Sequence, residues 1–131
     1  DRVSLLGRRP RDEVIKLMDD ASIFVMPSAP ESMGMAFLEA MARGCIVVGA
    51  VGWGIDGVVH DGINGFLTSP RDVVSCTQAI QRAFNANFSV RESSLETVKT
   101  SFTENNSFKN YANLLRDAVD GKLREEVVKV T

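Results

Sequence analysis

Apolar and polar positions follow two periods along this chain, and each change of period marks an element. Val3-Ser4-Leu5-Leu6 reads as a short strand ending at Gly7. From Arg11 to Ala21, Val14, Leu17, Met18 and Ala21 fall on one stripe and predict a helix. Ser22 to Met26 is a nearly continuous apolar run closed by Pro27, the pattern of a parallel strand buried on both faces. Pro27-Ser28-Ala29-Pro30 is expected to be a loop, because each proline disfavours helix in the residue before it. A second helix is expected from about Gly34 to Arg43, stopped by Gly44. Cys45 to Ala50 then reads as another buried strand, followed by a Gly52-Trp53-Gly54 loop and a short helical turn through Ile55 to Val59. Asp61-Gly62 and Asn64-Gly65 are turn dipeptides ahead of a short strand, Gly65 to Thr68.

Helices complete the chain. One is expected to begin at Pro70, with Ser69 as its cap, Asp72 three residues after the cap, and a stripe of Val73, Cys76, Ile80, Ala83 and Phe84. The next starts at Ser89, with Glu92 completing a capping box. A last helix runs from about Ser107 through Phe108, Tyr111, Leu115 and Val119; Gly121 weakens it, and residues 122–131 form a charged extension. Strand–helix alternation implies an α/β, Rossmann-like parallel sheet with flanking helices. Such sheets bind ligands at the carboxyl ends of their strands, here residues 7–9, 27–33 and 50–54.

Composition narrows the function classes. The 131 residues make one domain's worth of chain with ordinary globular content, 44% hydrophobic and 24% charged. A net charge of −2 gives no pull toward nucleic acid or anionic lipid. No apolar run approaches the ~18 residues of a membrane span, and no secretory signal is present, so a cytoplasmic location is expected. Cys45 and Cys76 lack metal-ligand spacing and fall in apolar patterns, which reads as two reduced core thiols. Met18, Met26 and Met41 read as core, His60 as a surface residue, and Arg11-Asp12-Glu13 as solvated mixed charge. The chain opens at Asp1 and runs almost directly into a strand pattern, as a fragment of a longer protein would.

The segment from Pro27 to Ala42 carries the chemistry. Glu31 lies just before the second helix and Glu39 inside it, among Phe37, Leu38, Ala40, Met41 and Ala42. A carboxylate on so apolar a helix costs several kcal/mol unless something specific pairs with it. The hydroxyls of a ribose would do so, and so would Arg43 one turn on. At the helix start the unsatisfied N–H groups and the macrodipole favour an anion. A diphosphate at Met33 to Ala36 would be held by backbone amides without a metal, with Gly34 allowing close approach.

A proline-serine turn, two glutamates separated by seven residues, and Glu39-Ala40-Met41-Ala42-Arg43-Gly44 closely resemble the retaining glycosyltransferases of the GT-B fold, family 4 type. Asp61-Gly62-Ile63-Asn64-Gly65-Phe66-Leu67 matches a second segment of that family, and the resemblance covers roughly Val3 to Phe84. It implies part of a C-terminal donor domain over residues 1–131, with C-terminal helices from about 89 and the N-terminal acceptor domain absent. It further implies Glu31 as the catalytic residue facing the transferred sugar and Ser32, Met33, Gly34, Met35, Ala36 and Glu39 as donor-binding residues. Gly7 and Arg8, with Arg9 beside them, would lie on the base or phosphate side. No metal or other cofactor is implied; the partners are a nucleotide sugar and an acceptor that is a saccharide, lipid or small molecule. Peripheral membrane association of the whole protein fits the family as well. The chain differs from the family pattern at Ser32-Met33-Gly34, where Gly-Phe-Gly is usual, and at Asp56, where a glutamate is. The upstream segment with a glycine-rich loop and an Arg/Lys pair is expected to lie outside this sequence. Two other functions share the pattern: a different GT-B enzyme such as a nucleotide-sugar epimerase, and a non-catalytic nucleotide-binding or interaction domain.

Overall fold

A computed structural model describes residues 2–119. The described residues fall into two compact units that divide between Val98 and Lys99. In the first, α1 (Arg11–Asp20), β1 (Ile23–Val25), α2 (Met35–Ala42), β2 (Ile46–Ala50), β3 (Phe66–Thr68) and α3 (Val73–Phe84) follow in order. α4 (Phe88–Ser101) runs into the second unit, which holds α5 (Glu104–Val119). The sheet is parallel throughout, in the order β1-β2-β3, as the alternation predicts. Ile23 pairs with Ile46 and Val25 with Val48; Val48 in turn pairs with Phe66 and Ala50 with Thr68.

Every residue of β2 is buried, because it is the central strand and both of its faces are covered. Ile46 and Val48 join Phe66, with Ala79 and Ala83 of α3 and Val90 of α4, in one apolar cluster. The residues between them face the other way. A Cβ on Gly49 would lie 3.2 Å from the Phe37 ring of α2, and Phe24 of β1 meets that ring edge-on at 5.6 Å. Cys45 is fully buried, and its thiol donates to the carbonyls of Met18 and Ala21 at 3.2 and 3.4 Å. Burial pushes this thiol above its usual range despite the nearby Arg91 charge, in keeping with an inert core cysteine. Cys76 is also free and is half-buried.

Several expectations are corrected. Val3 to Leu6 is not a strand: no other strand lies beside it among the described residues, and Val3 and Leu5 are exposed. β1 is half-buried, with Val25 39% exposed, because it pairs only with β2 and forms the sheet edge. α1 turns Met18 inward with Ile15 beside it and leaves Val14 and Leu17 exposed. α3 begins at Val73, not Pro70: Arg71 adopts φ 60, which no helix admits, and Asp72 caps the Ser75 N–H at 3.0 Å. Its inward residues are Ala79 and Ala83, while Val73 and Phe84 are exposed. α4 starts one residue before Ser89, which places Ser89 inside the first turn and forms no capping box with Glu92. α5 starts at Glu104, where the Thr103 hydroxyl accepts the Asn106 N–H at 3.4 Å. The expectations for Gly121 and residues 122–131 lie outside the described residues.

The Asp61–Gly65 turn is a structural clasp. Asn64 is 3% exposed; its Oδ1 accepts the His60 N–H at 2.7 Å, and its Nδ2 donates to the Val58 carbonyl and the Thr97 hydroxyl of α4. Asp61 receives both Arg82 guanidinium nitrogens, at 2.8 and 3.2 Å, and the Leu67 N–H at 2.9 Å. The same guanidinium stands 4.8 Å from the centre of the Phe66 ring. Burial alone would raise the Asp61 carboxyl, but the Arg82 and Leu67 hydrogen bonds and the Arg82 charge outweigh it and hold the group below its ordinary value.

Two outcomes follow from this clasp. Asn64→Ala strips buried backbone and hydroxyl groups of their partner, at a cost of about 1–3 kcal/mol, and lowers the thermal midpoint by several degrees in a melting experiment. Because Asp61 has its pKa depressed in the folded state, its contribution is fully present above the unfolded value of ~3.9 and is lost as pH falls through the folded one. Urea midpoints should therefore separate wild type from Asp61→Asn at pH 7 and converge as pH falls through the depressed folded-state value; a gap that persists once the carboxyl is protonated would rule out the charge pairing as its source.

Candidate functional site

The loop after β1 and the start of α2 carry the residues picked out by sequence. Met26 continues the β1–β2 ladder by donating to the Val48 carbonyl at 3.0 Å, and the chain then turns through Pro27. The half-buried Glu31 that follows is fixed at both ends. The Ser28 hydroxyl donates to its Oε2 at 3.2 Å, and the Ser32 N–H to its Oε1 at 3.0 Å. Its carbonyl accepts the Gly54 N–H at 3.0 Å, which joins the loop after β1 to the loop after β2. Trp53 beside it is 39% exposed.

Gly34 caps α2 at φ 64, a conformation that favours glycine, and a Cβ there would fall 2.6 Å from the Phe37 ring. Backbone geometry and packing thus account for this glycine. Beyond it, the N–H groups of Met35 and Ala36 open the helix, with Met33 and Met35 exposed on the outside. The Ser32 amide is already engaged by Glu31, so Ser32 contributes to holding the glutamate rather than offering a free donor.

α2 is less enclosed than its composition suggests. Phe37, Leu38, Ala40 and Met41 are buried, but Met35, Glu39 and Ala42 share a strip that reaches solvent. Glu39 is about one-third exposed and pairs with Arg11, whose Nη2 lies 2.7 Å from Oε1. Arg43, the alternative partner from spacing, pairs with Asp19 instead. Arg11, Ile15, Ala42 and Arg43 surround Glu39 in a shallow recess of about 260 Å³. Sequence gave Arg11 no role, since it sits in a mixed-charge run 28 residues from Glu39. Gly7 and Arg8 lie in the exposed segment before α1, and the side-chain partners of Glu31 and Glu39 are Ser28, Ser32 and Arg11 instead. Arg9 reaches Glu13 at 3.5 Å. His60 is exposed, and its backbone is engaged by Asn64 and Ile63.

A second recess, of about 340 Å³, opens at the carboxyl ends of β1 and β3 between Pro27, Ala29, Ser69, Arg71 and Cys76. Among the described residues, no three His, Cys, Asp or Glu side chains cluster as metal ligands would.

Comparison with known proteins bears on the family and the fold. The family model described as glycosyl transferases group 1 covers residues 1–86. A sulfoquinovosyl transferase of Arabidopsis thaliana is 37% identical over 78 residues, which are 57% of this chain and 15% of that protein. A sucrose-phosphate synthase structure from Thermosynechococcus elongatus superposes with a TM-score of 0.75 over 92% of this chain and 31% of its own, at 24% identity. The Anabaena protein HepE, solved in complex with UDP and glucose, superposes with a TM-score of 0.72 over 89% of this chain and 32% of its own, at 26% identity. The chain spans less than a third of the length of each of these proteins. Two glutamates flank the opening of a helix at the carboxyl edge of a parallel sheet, two-thirds of the chain fits one family model, and the fold is that of GT-B glycosyltransferases. The chain therefore belongs to the glycosyl transferases group 1 family.

Proposed function

We propose that this chain is the donor half of a glycosyltransferase that moves a sugar from a nucleoside diphosphate to an acceptor, with retention. The observation that carries this is the placement of Glu31 and Glu39 on either side of the α2 N-terminus, at the strand ends where such sheets take ligands. Glu31 faces the transferred sugar and stabilises the positive charge that develops as the glycosidic bond breaks. Its carboxylate is held by Ser28 and Ser32, so little reorganisation is needed when that charge appears. The Met33 to Ala36 backbone receives the diphosphate at the positive end of the helix, and this reading needs no metal. Glu39 receives the ribose hydroxyls; Arg11 occupies one of its oxygens, and a carboxylate has lone pairs to spare on both.

In the whole protein the acceptor would bind a separate N-terminal domain, and cationic residues outside this chain would share the charge of the departing diphosphate. A cytoplasmic location fits the same reading; among the described residues no helix is long and apolar enough to cross a membrane. HepE, which resembles this chain, was solved with UDP and with UDP-glucose, and that supports a uridine nucleotide as the first donor to try.

The Arg11–Glu39 pair also favours a second reading, in which Glu39 serves only to tie α2 to α1 and the domain does not bind a nucleotide. Protein-observed NMR separates the two. Titration with UDP, GDP and ADP should shift Met33 to Glu39 amides with one preferred base. Glu39→Ala should weaken that binding tenfold or more, as the loss of hydrogen bonds to a charged group implies. No shift with any of the three nucleotides would favour the second reading, and binding untouched by Glu39→Ala would remove the ribose role.

A further inference from the structure

We infer that Gly54 is a positioning residue for Glu31: its N–H fixes the Glu31 main chain, and its missing side chain is what lets the Glu31 side chain lie where it does. The inference rests on the proposed role of Glu31 toward the sugar and adds a second loop to it.

The glycines of this region are required for different reasons. Gly52 and Gly57 have φ of 75 and 92 with open space around them, so their backbone conformation alone calls for glycine. Gly34 and Gly49 face the Phe37 ring and, for Gly49, Ile55 at 2.4 Å, so core packing excludes a side chain. Gly54 fits neither group. Its φ lies outside the left-handed region, so alanine is conformationally permitted. A Cβ there would stand 2.8 Å from Glu31 Cγ, 3.3 Å from the Glu31 carbonyl oxygen and 3.3 Å from the Met33 carbonyl carbon. The first of these is an overlap that the Glu31 side chain must relieve, and it is the largest; the two backbone contacts are tight and call for shifts of a few tenths of an ångström.

Gly54 can act this way because its own loop is anchored. Ile55 next to it is 1% exposed and packs over Gly49 of β2. Asp56 Oδ2 accepts the Gly52 N–H at 2.6 Å, and the Asp56 N–H donates to the Trp53 carbonyl at 2.7 Å. Val58 and Val59 both donate to the Ile55 carbonyl. Position is thus passed from the central strand to Ile55, from Ile55 to Gly54, and from Gly54 to Glu31. Ser28 and Ser32 set the direction of the carboxylate, while Gly54 sets the backbone from which it starts.

The test uses this chain with Gly54→Ala, Glu31→Ala and the double variant, and takes two measurements. In thermal melts Gly54→Ala should lower the midpoint by roughly 5 °C, as a forced side-chain shift does. In the Glu31→Ala background, where Cγ is gone, it should cost less than half as much. In NMR titrations with UDP and UDP-glucose, Gly54→Ala should leave the UDP affinity within about twofold and remove the added affinity that the glucose confers, as Glu31→Ala does, with no further loss in the double variant. Should Gly54→Ala alone fail to fold, the double variant must still fold and melt near Glu31→Ala, and a double variant that also fails overturns the inference. Equal costs of Gly54→Ala in both backgrounds, or an equal loss for UDP and UDP-glucose, overturn it as well. If Gly54→Ala and Glu31→Ala couple in stability but Glu31→Ala leaves the glucose increment whole, or wild type shows no increment, the sugar role of Glu31 falls and takes the positioning role with it.

Discussion

The absence of a side chain at Gly49 is the constraint on which the rest of this site depends. β2 is buried at every position, so whatever covers it must approach closely, and on one face the approach is made at Gly49 by two elements together. The Phe37 ring brings α2, and with it Glu39 and the loop that carries Glu31. Ile55 brings the loop that carries Gly54. Any larger residue at position 49 would meet Ile55 at 2.4 Å before it met anything else, and would drive the two elements apart. On the other face, Ile46 and Val48 seat α3 and Val90 in the ordinary way, through interdigitated apolar side chains. The sheet thus has one face given to stability and one where the core itself brings the functional loops together.

The two glutamates are held by different physics. Glu31 is restrained by short local bonds: a hydroxyl three residues back, the next amide, and a backbone contact from a loop anchored in the core. Both carboxylate oxygens are thus engaged close to the main chain. Glu39 is restrained by a long, three-quarters-exposed arginine across 28 residues of sequence. Exposed pairs of this kind are worth at most about 1 kcal/mol and are screened by salt. Under the proposed roles, Glu31 would stabilise charge developing at a set position and benefits from the first arrangement, whereas Glu39 would admit and release a nucleotide and benefits from the second.

What sequence revealed of this fold was its local part. Parallel strands, α2 with Gly44 as its stop, and the loops at the carboxyl edge were legible because each is signalled by neighbours in the chain: apolar runs, proline pairs, a glycine at the helix end. The misreadings share a dependence on something distant or on a single dihedral. Val3 to Leu6 has the composition of a strand, but a strand exists only through pairing, and no described strand pairs with it. Ser69 and Asp72 are both good caps; Arg71 at φ 60 decides between them, and nothing in the residue's identity announces that angle. Glu39 was expected to be buried because its neighbours are apolar, yet the strip through Met35, Glu39 and Ala42 faces outward, and its partner Arg11 has no local signal linking it to α2. The glutamate pair and its flanks were legible as a motif, while the link from Gly54 to Glu31 was not, since it joins the loops of two different strands.

The two motifs that mark the family divide between chemistry and architecture. The segment from Pro27 to Gly44 sets two carboxylates and a helix opening at the strand ends. The segment from Asp61 to Leu67 has two polar side chains suited to chemistry, and both are engaged by the protein: Asn64 spends both of its amide groups on Val58, His60 and Thr97, and Asp61 is claimed by Arg82 and Leu67. A buried, fully satisfied amide at a turn is costly to replace, because its loss leaves buried partners unpaired. The polar side chains of the second motif thus act within the fold, tying the turn to α3 and α4. Its bearing on function runs through position: it closes the chain between the loop that holds Gly54 and the strand β3 that flanks β2, and so fixes the far end of the same loop that steadies Glu31.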